Sequence, residues 1–357
     1  MSAAGPTPGS PVSSPDSAAA IVDVAGLRKE FRVRGARFGG PPKVVHAVSD
    51  ISFRVQAGQT LGIVGESGCG KSTVARLLMG LIDADDGQIR LAGTVLSQRP
   101  EALRAARRKV QMVFQDSFAS LNPRMTVEAS VMFGPQVHGA TRAQARATAH
   151  ALLARVGLEP ERFAGRYPHE ISGGQRQRVN IARALALQPE VVIFDEAVSA
   201  LDKSVEIQVL NLLLDLQAEF GLTYLFISHD LHVVQYVSDQ VQVMYLGKIV
   251  ETGPVQAVYE RPAHPYTRAL LASMPSMDPR HRTLAAPISG DPPSPIDPPS
   301  GCRFRTRCAH ATALCASTEP LLHAVDTAQA PGHRAACHML VQQPWPQAGA
   351  LPESRTP

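Results

Sequence analysis

No stretch of the 357 residues stays apolar for the roughly 20 positions that a membrane-spanning helix requires. The best candidates, Val191–Phe194 and Leu212–Leu214, are cut short by Asp195 and Asp215. Nor does the start carry a charged-then-apolar leader. Met1–Ala20 is rich in Pro, Ser, Gly and Ala and reads as a disordered tail. These absences lead us to expect a cytosolic chain, or one held at a membrane only by partners. Charge of one sign is also lacking: 35 Lys and Arg against 31 Asp and Glu leave a net +4. The basic residues are scattered, with no aromatic-interleaved stripe, so nucleic acid is not an expected partner. Cysteine is scarce and unevenly placed. Of the five, Cys69 stands alone, while Cys302, Cys308, Cys315 and Cys337 crowd the last fifth of the chain. In a reducing cytosol such a cluster points to metal more than to disulfides.

What is present has the rhythm of a buried sheet. Ile21–Val24 and Ile51–Val55 read as strands flanking a Gly/Pro/Arg-rich loop, Arg34–Pro42. Short apolar runs then recur at Leu61–Val64, Val110–Phe114, Val191–Phe194 and Leu222–Ser228, alternating with helical segments such as Ser72–Leu81. Val205, Val209, Leu212, Leu213, Leu216 and Phe220 repeat at helical spacing until Gly221 stops them. Buried strands alternating with helices imply a mostly parallel sheet covered on both faces. Between about 116 and 175 no buried-strand run appears and Thr141–Val156 is helical in composition, predicting a helical insertion. Beyond residue 262 the composition shifts to Pro, Ser, Arg and Cys, the mark of a second, smaller domain.

The segment Gly65-Glu66-Ser67-Gly68-Cys69-Gly70-Lys71-Ser72 is a P-loop pattern, two glycines with four residues between them followed by Lys and Ser, set between a strand and a helix. Its glycines let backbone N–H groups face phosphates at a helix N-terminus. Lys71 is then expected on the β- and γ-phosphates and the Ser72 hydroxyl on Mg²⁺. The strand Val191–Phe194 ends in Asp195-Glu196: the first acid suits Mg²⁺, the second a general base for the attacking water.

Ile171-Ser172-Gly173-Gly174-Gln175-Arg176-Gln177-Arg178 resembles the signature segment of ABC ATPases, and it lies between the P-loop and the acidic strand as in that family. Gln115, Ser199-Ala200-Leu201-Asp202 and His229 follow in the family's order. The resemblance implies an α/β fold: a RecA-like P-loop NTPase core with an antiparallel β-subdomain and the helical insertion, plus a small Cys-containing C-terminal domain. The expected boundaries are a tail at 1–20, an ABC nucleotide-binding domain at 21–262, a C-terminal domain at 263–340 and a tail at 341–357. The resemblance also implies two such subunits, copies or paralogues, closing head to tail. Each ATP would lie between one P-loop (Gly65, Ser67, Gly68, Gly70, Lys71, Ser72, Thr73) and the partner's Ser172, Gly173, Gly174 and Gln175, at the start of a helix expected over Gln175–Leu187. Gln115 would ligate Mg²⁺ with Ser72 and Asp195 and sense the membrane partner. His229 would orient the γ-phosphate and Glu196, and Asp202 would cross the dimer interface. Phe31 stands where the family places an adenine-stacking aromatic, a position that equally suits a sheet-core residue. Two residues depart from the family pattern: Ala197, where Pro usually follows the catalytic Glu, and Asn180, a polar residue within the signature helix.

Several segments resemble the ATPases of oligopeptide and dipeptide importers: Gly65–Gly70, Ser120–Arg124, Met244–Gly247, His264–Thr267 and the Pro-rich Ser289–Gly301. The likeness spans about 21–338 and implies two transmembrane permeases and, indirectly, an extracytoplasmic substrate-binding protein as partners, at the cytoplasmic face of the inner membrane. The branch also handles nickel and glutathione. Its members carry a similar terminal four-cysteine module, some with a [4Fe–4S] cluster. The spacing Cys302-x5-Cys308-x6-Cys315-x21-Cys337 is too wide for the usual zinc-finger pairs. Three readings stay open: a cluster, zinc with His310, His333 or His338 substituting, and structural thiols without metal. Two rival functions are weighed. A soluble ABC ATPase acting on DNA or ribosomes usually has two ATPase domains or a long coiled coil, and this chain has neither. A catalytically weak regulator is suggested by Ala197.

Overall fold

The computed structural model describes residues 20–33, 43–274, 290–325 and 330–342. The loop expected over Arg34–Pro42 lies outside them, as do the expected tails except for Ala20, Val341 and Gln342. Along the chain, β1 (Val22–Val33) and β2 (Lys43–Val55) pair antiparallel. The strand β3 (Thr60–Val64) runs into α1 (Lys71–Leu78). Two further strands, β4 (Asp86–Leu91) and β5 (Thr94–Val95), return to the first pair and complete a sheet of order β2-β1-β4-β5. The helix α2 (Pro100–Lys109) leads into β6 (Val110–Val113). The insertion follows as α3 (Val127–Val137), α4 (Arg142–Arg155) and α5 (Pro160–Phe163), then α6 (Gly173–Leu185).

The core strands come next, alternating with helices: β7 (Val191–Asp195), α7 (Lys203–Phe220), β8 (Thr223–Ile227), α8 (Leu231–Val237), and the hairpin β9 (Gln240–Tyr245) and β10 (Lys248–Pro254). Every residue of β3, β7 and β8 is buried. That is why these strands read as unbroken apolar runs: both faces of the sheet are covered. Alternation then splits them between two cores. Val192, Phe194, Tyr224 and Phe226 pack with the insertion, whereas Val191, Ile193, Leu225 and Ile227 pack with α1 and the antiparallel sheet. Each such side chain contributes roughly 2 kcal/mol of burial. Gly221 ends α7 with φ at 63°, the left-handed cap that a glycine adopts without steric cost.

After α9 (Val255–Glu260) and α10 (Pro265–Ala272), the last part of the described chain holds α11 (Ala313–Ser317), β11 (His323–Ala324), β12 (Arg334–Ala335) and α12 (Met339–Gln342). The break in composition at 262 is not a break in packing. β12 pairs with β10, Glu251 opposite Ala335, so the larger sheet reads β11-β12-β10-β9-β3-β8-β7-β6. Tyr266 and Phe304 belong to the same core as Tyr245. Among the described residues, no helix is long and apolar enough to cross a membrane.

Candidate functional site

The P-loop leaves β3 and enters α1 through glycines that no other residue could replace. A Cβ on Gly65 would fall 2.2 Å from the Met244 carbonyl oxygen, and one on Gly70 would fall 2.2 Å from that of Ala47. Their φ angles, 149° and 110°, are themselves costly for a side chain. α1 starts at Lys71 with no side-chain cap and no acid in its first turn, leaving its leading N–H groups and partial positive charge available to an anion. Lys71, 5% exposed, donates through Nζ to the carbonyls of Gly65 (2.8 Å) and Glu66 (3.0 Å). The Ser72 hydroxyl donates to Asp195 Oδ1 at 2.9 Å, joining the P-loop to the end of β7. Burial raises the Asp195 pKa; the Ser72 bond opposes that rise and the Glu196 charge adds to it. A hydroxyl and a buried carboxylate side by side are hard oxygen donors that suit Mg²⁺.

Glu196 follows β7 with φ at 51°, left-handed backbone that a glutamate rarely adopts, held by its N–H bonding the Ile227 carbonyl at 2.9 Å. The turn brings its carboxylate to Gln115 and His229. Gln115 Nε2 donates to Glu196 Oε2 at 2.9 Å, and His229 Nδ1 lies 3.3 Å from the same oxygen. Downstream, the Ser199 hydroxyl donates to the Glu196 carbonyl at 2.9 Å while Ala197 and Val198 are buried, so the loop carrying Ala197 is pinned without a proline.

Ser172 caps α6, its Oγ accepting from the Gln175 N–H (3.3 Å) while Gln175 Oε1 accepts from the Ser172 N–H (2.9 Å). The helix therefore begins at Gly173, two residues before the start that composition suggested. Gly174 is fixed by packing: a Cβ there would meet Val205 of α7 at 2.5 Å. Asn180 is buried and fully used, donating to the Ser117 carbonyl and accepting from Ser120 Oγ, both at 3.1 Å. Arg183 donates to the Ser120 carbonyl as well. Among the described residues, no hydrogen bond or ion pair joins Ser172–Gln175 to Gly65–Thr73. Asp202 is exposed at the start of α7 and makes no capping bond with its side chain. Phe31 lies outside both cores, 36% exposed, with Lys29 Nζ 5.5 Å from its ring centre.

All four C-terminal cysteines are free thiols lining one small cavity of about 20 Å³, beside His264, Phe304, His310 and His338. Burial, reinforced by the neighbouring thiols, pushes Cys302 up to about 11. Among the described residues, no three His, Cys, Asp or Glu side chains converge as a metal ion's ligands would. His333 is not at the cavity, because its Nε2 lies 2.7 Å from Glu251 Oε1 in a fully buried pair. That removes it from the zinc ligands considered above.

Sequence reasoning missed a second shell of residues on the P-loop. Arg307 forms a two-pronged bridge to Glu66, and the Tyr266 hydroxyl accepts from the Glu66 N–H at 2.9 Å. Tyr266 lies in the His264–Thr267 motif, which gave the only signal; Arg307 gave none.

The ABC transporter family is matched over residues 48–199, and the C-terminal region of oligopeptide/dipeptide transporters over residues 250–315. A probable peptide ABC transporter ATP-binding protein, y4tS of Sinorhizobium fredii, is 50% identical over 90% of each chain. The chain belongs to the ATP-binding subunits of ABC transporters. Within that family, the oligopeptide transport ATP-binding protein OppF of Escherichia coli is 48% identical over 85% of this chain and 92% of its own. AppF of Bacillus subtilis, likewise an oligopeptide transport ATP-binding protein, is 48% identical over 89% of this chain and 97% of its own. Two solved ABC structures share the fold. CbiO1 of Clostridium perfringens, part of the ABC transporter complex CbiONQ, has a TM-score of 0.59 at 27% identity, over 68% of this chain and 91% of its own. The ATP-binding cassette MJ0796, a dimer in a post-hydrolysis state with ADP and Pi, has a TM-score of 0.58 at 28% identity, over 66% and 98%. This chain is an ABC ATPase.

Proposed function

We propose that the chain is the ATP-hydrolysing motor of an importer of di- or oligopeptides. One observation carries the reading: Ser72–Asp195 and the triad Gln115–Glu196–His229 gather at one P-loop, in a chain about half identical to peptide-transport ATP-binding proteins over nine tenths of its length. In this reading the N–H groups of Gly68–Thr73 and Lys71 Nζ bind the phosphates. Ser72, Asp195 and Gln115 hold Mg²⁺, which supplies charge neutralisation when bound. Glu196 draws the proton from the attacking water, and His229 orients that carboxylate. Phe31 offers its exposed ring to adenine.

A second ATPase subunit, identical or paralogous, completes each site. The exposed Asp202 supports this, as does the dimeric state of the related cassette MJ0796. Two permeases dock beside Gln115. Phe114 and Phe118, one residue before Gln115 and three after it, are 39% and 50% exposed, which supports a protein partner there. The subunit then works at the cytoplasmic face of the membrane, with cargo delivered by an extracytoplasmic binding protein. The same proposal places a [4Fe–4S] cluster on Cys302, Cys308, Cys315 and Cys337. Four free thiols around one cavity support it. Iron and acid-labile sulfide assays on anaerobically purified protein test that part.

The function is tested by uptake of labelled di- and oligopeptides, with nickel alongside, in cells lacking the chain. Wild type is expected to restore peptide uptake and Glu196→Gln is not. Restored nickel uptake with no effect on peptides would overturn the peptide assignment while leaving the motor intact.

A further inference from the structure

Glu66 is the one acidic side chain within the P-loop, and the structure holds the residue at its carbonyl, its N–H and its carboxylate. Its carbonyl accepts from Lys71. Its N–H donates to the hydroxyl of Tyr266, a residue with no exposed surface. Its carboxylate receives both prongs of Arg307, at 2.8 and 3.1 Å. Two of these three partners come from the C-terminal region, more than 190 residues away in sequence; the separations are 200 for Tyr266 and 241 for Arg307.

The Arg307 side chain is 7% exposed and that of Glu66 24%, so the pair is largely sheltered from screening by water. A bidentate guanidinium–carboxylate pair in such a place is geometrically strict. Arg307 is itself braced: Nη1 also donates to the Tyr245 hydroxyl at 3.3 Å, and its guanidinium lies 5.9 Å from the centre of that ring. Tyr245 packs on Tyr266 and, edge-on, on Phe304, with centroids at 4.6 and 5.3 Å. Arg303, on the same arm, donates to the Leu246 carbonyl and, at 3.0 Å, to Ser49 Oγ. The arm is bracketed by Cys302 and Cys308, and Cys302 N–H bonds the Cys315 carbonyl at 2.8 Å.

We infer that Arg307 is a positioning residue for nucleotide binding: with Tyr266 it clamps Glu66 from outside the P-loop, fixing the loop and cancelling a carboxylate that would otherwise repel the triphosphate. The inference rests on reading Gly65–Thr73 as the phosphate cradle. Opposite charge beside Glu66 removes an unfavourable field at the point where a polyanion arrives, and a loop held in advance spares the ordering cost of binding.

The test measures MgATP affinity by titration calorimetry and steady-state hydrolysis on the full-length chain. Arg307→Met is expected to weaken MgATP binding about tenfold, with the effect in KM and less than about a twofold change in kcat. Adding Glu66→Gln to Arg307→Met is expected to recover most of the loss, because the uncompensated charge is then gone. A merely structural contact predicts the reverse, a double variant at least as weak as the single, and that result overturns the inference. Unchanged affinity in Arg307→Met overturns it too. Should Arg307→Met fail to fold, Tyr266→Phe removes only the hydroxyl that receives the Glu66 N–H. It is expected to weaken binding about threefold, and an unchanged affinity there refutes the clamp. A wild-type chain that binds no MgATP would instead bring down the nucleotide reading itself.

Discussion

His264 makes the folded chain sensitive to acid in a way that can be worked out in advance. The imidazole is 1% exposed at the start of α10, and Nδ1 accepts the Tyr266 N–H at 3.0 Å. An acceptor nitrogen cannot carry a proton, and protonation would set two donors against each other. Burial accordingly lowers the pKa from 6.5 to about 4, with the nearby Glu251 charge opposing only part of the fall. Because the folded value lies below the unfolded one, the unfolded chain binds more protons between these limits, and stability falls as pH falls through that window. The loss is about 2 kcal/mol at pH 5 and approaches about 3 kcal/mol at the lower end. Urea unfolding at pH 7.5, 6.5, 5.5 and 5 would measure it, with His264→Asn as reference. Asparagine keeps a side-chain acceptor for the helix N-terminus but does not titrate. Other groups contribute equally to both proteins, so the difference in slope isolates the imidazole. Equal slopes for the two would refute the reasoning.

Three further outcomes follow from the site. Glu196→Gln should lower ATP hydrolysis by about 100-fold or more, read as phosphate release at saturating MgATP. Asp195→Asn should raise the melting temperature of the magnesium-free protein, since burial raises the Asp195 pKa and so disfavours its charged form at neutral pH. The same change should abolish the dependence of nucleotide binding on Mg²⁺, measured by titration with and without chelator. Gly174→Ala should cost about 1–3 kcal/mol of stability in chemical denaturation, because its methyl group meets Val205 at 2.5 Å.

The sheet was legible where burial on both faces erased alternation. β3, β7 and β8 read as apolar runs, and their ends hold the P-loop and Asp195. β4 was not legible: Asp86–Leu91 buries only Ile89 and Leu91, too few to rise above the background of a loop. β9 hides a buried Gln242 among its apolar residues, and α2 is mostly exposed and basic. The residues that grip ATP in this reading follow one another in local motifs whose spacing is set by the loop they form. Those that hold the P-loop from outside do not. Arg307 and Glu66 are separated by 241 residues and meet only through the tertiary fold, and no local pattern of residue types encodes a meeting at such range. The four cysteines are an intermediate case: their clustering along the chain anticipated a shared cavity, yet the histidines around them could be sorted only once His333 was seen against Glu251.

Asn180 looked like a blemish in the signature helix; its two hydrogen bonds make it a rivet. Through it and Arg183, α6 is fastened to Ser117 and Ser120, a few residues beyond Gln115, whose amide holds Glu196. The tether from α6 to the Glu196 carboxylate therefore runs through one short, hydrogen-bonded segment. A push on the outer surface of α3, which packs on α6, has little slack to take up before it is felt at the water that Glu196 would activate. In the proposed reading, the distance over which a permease must make itself known is set by one asparagine side chain, two residues of backbone and the Gln115 side chain.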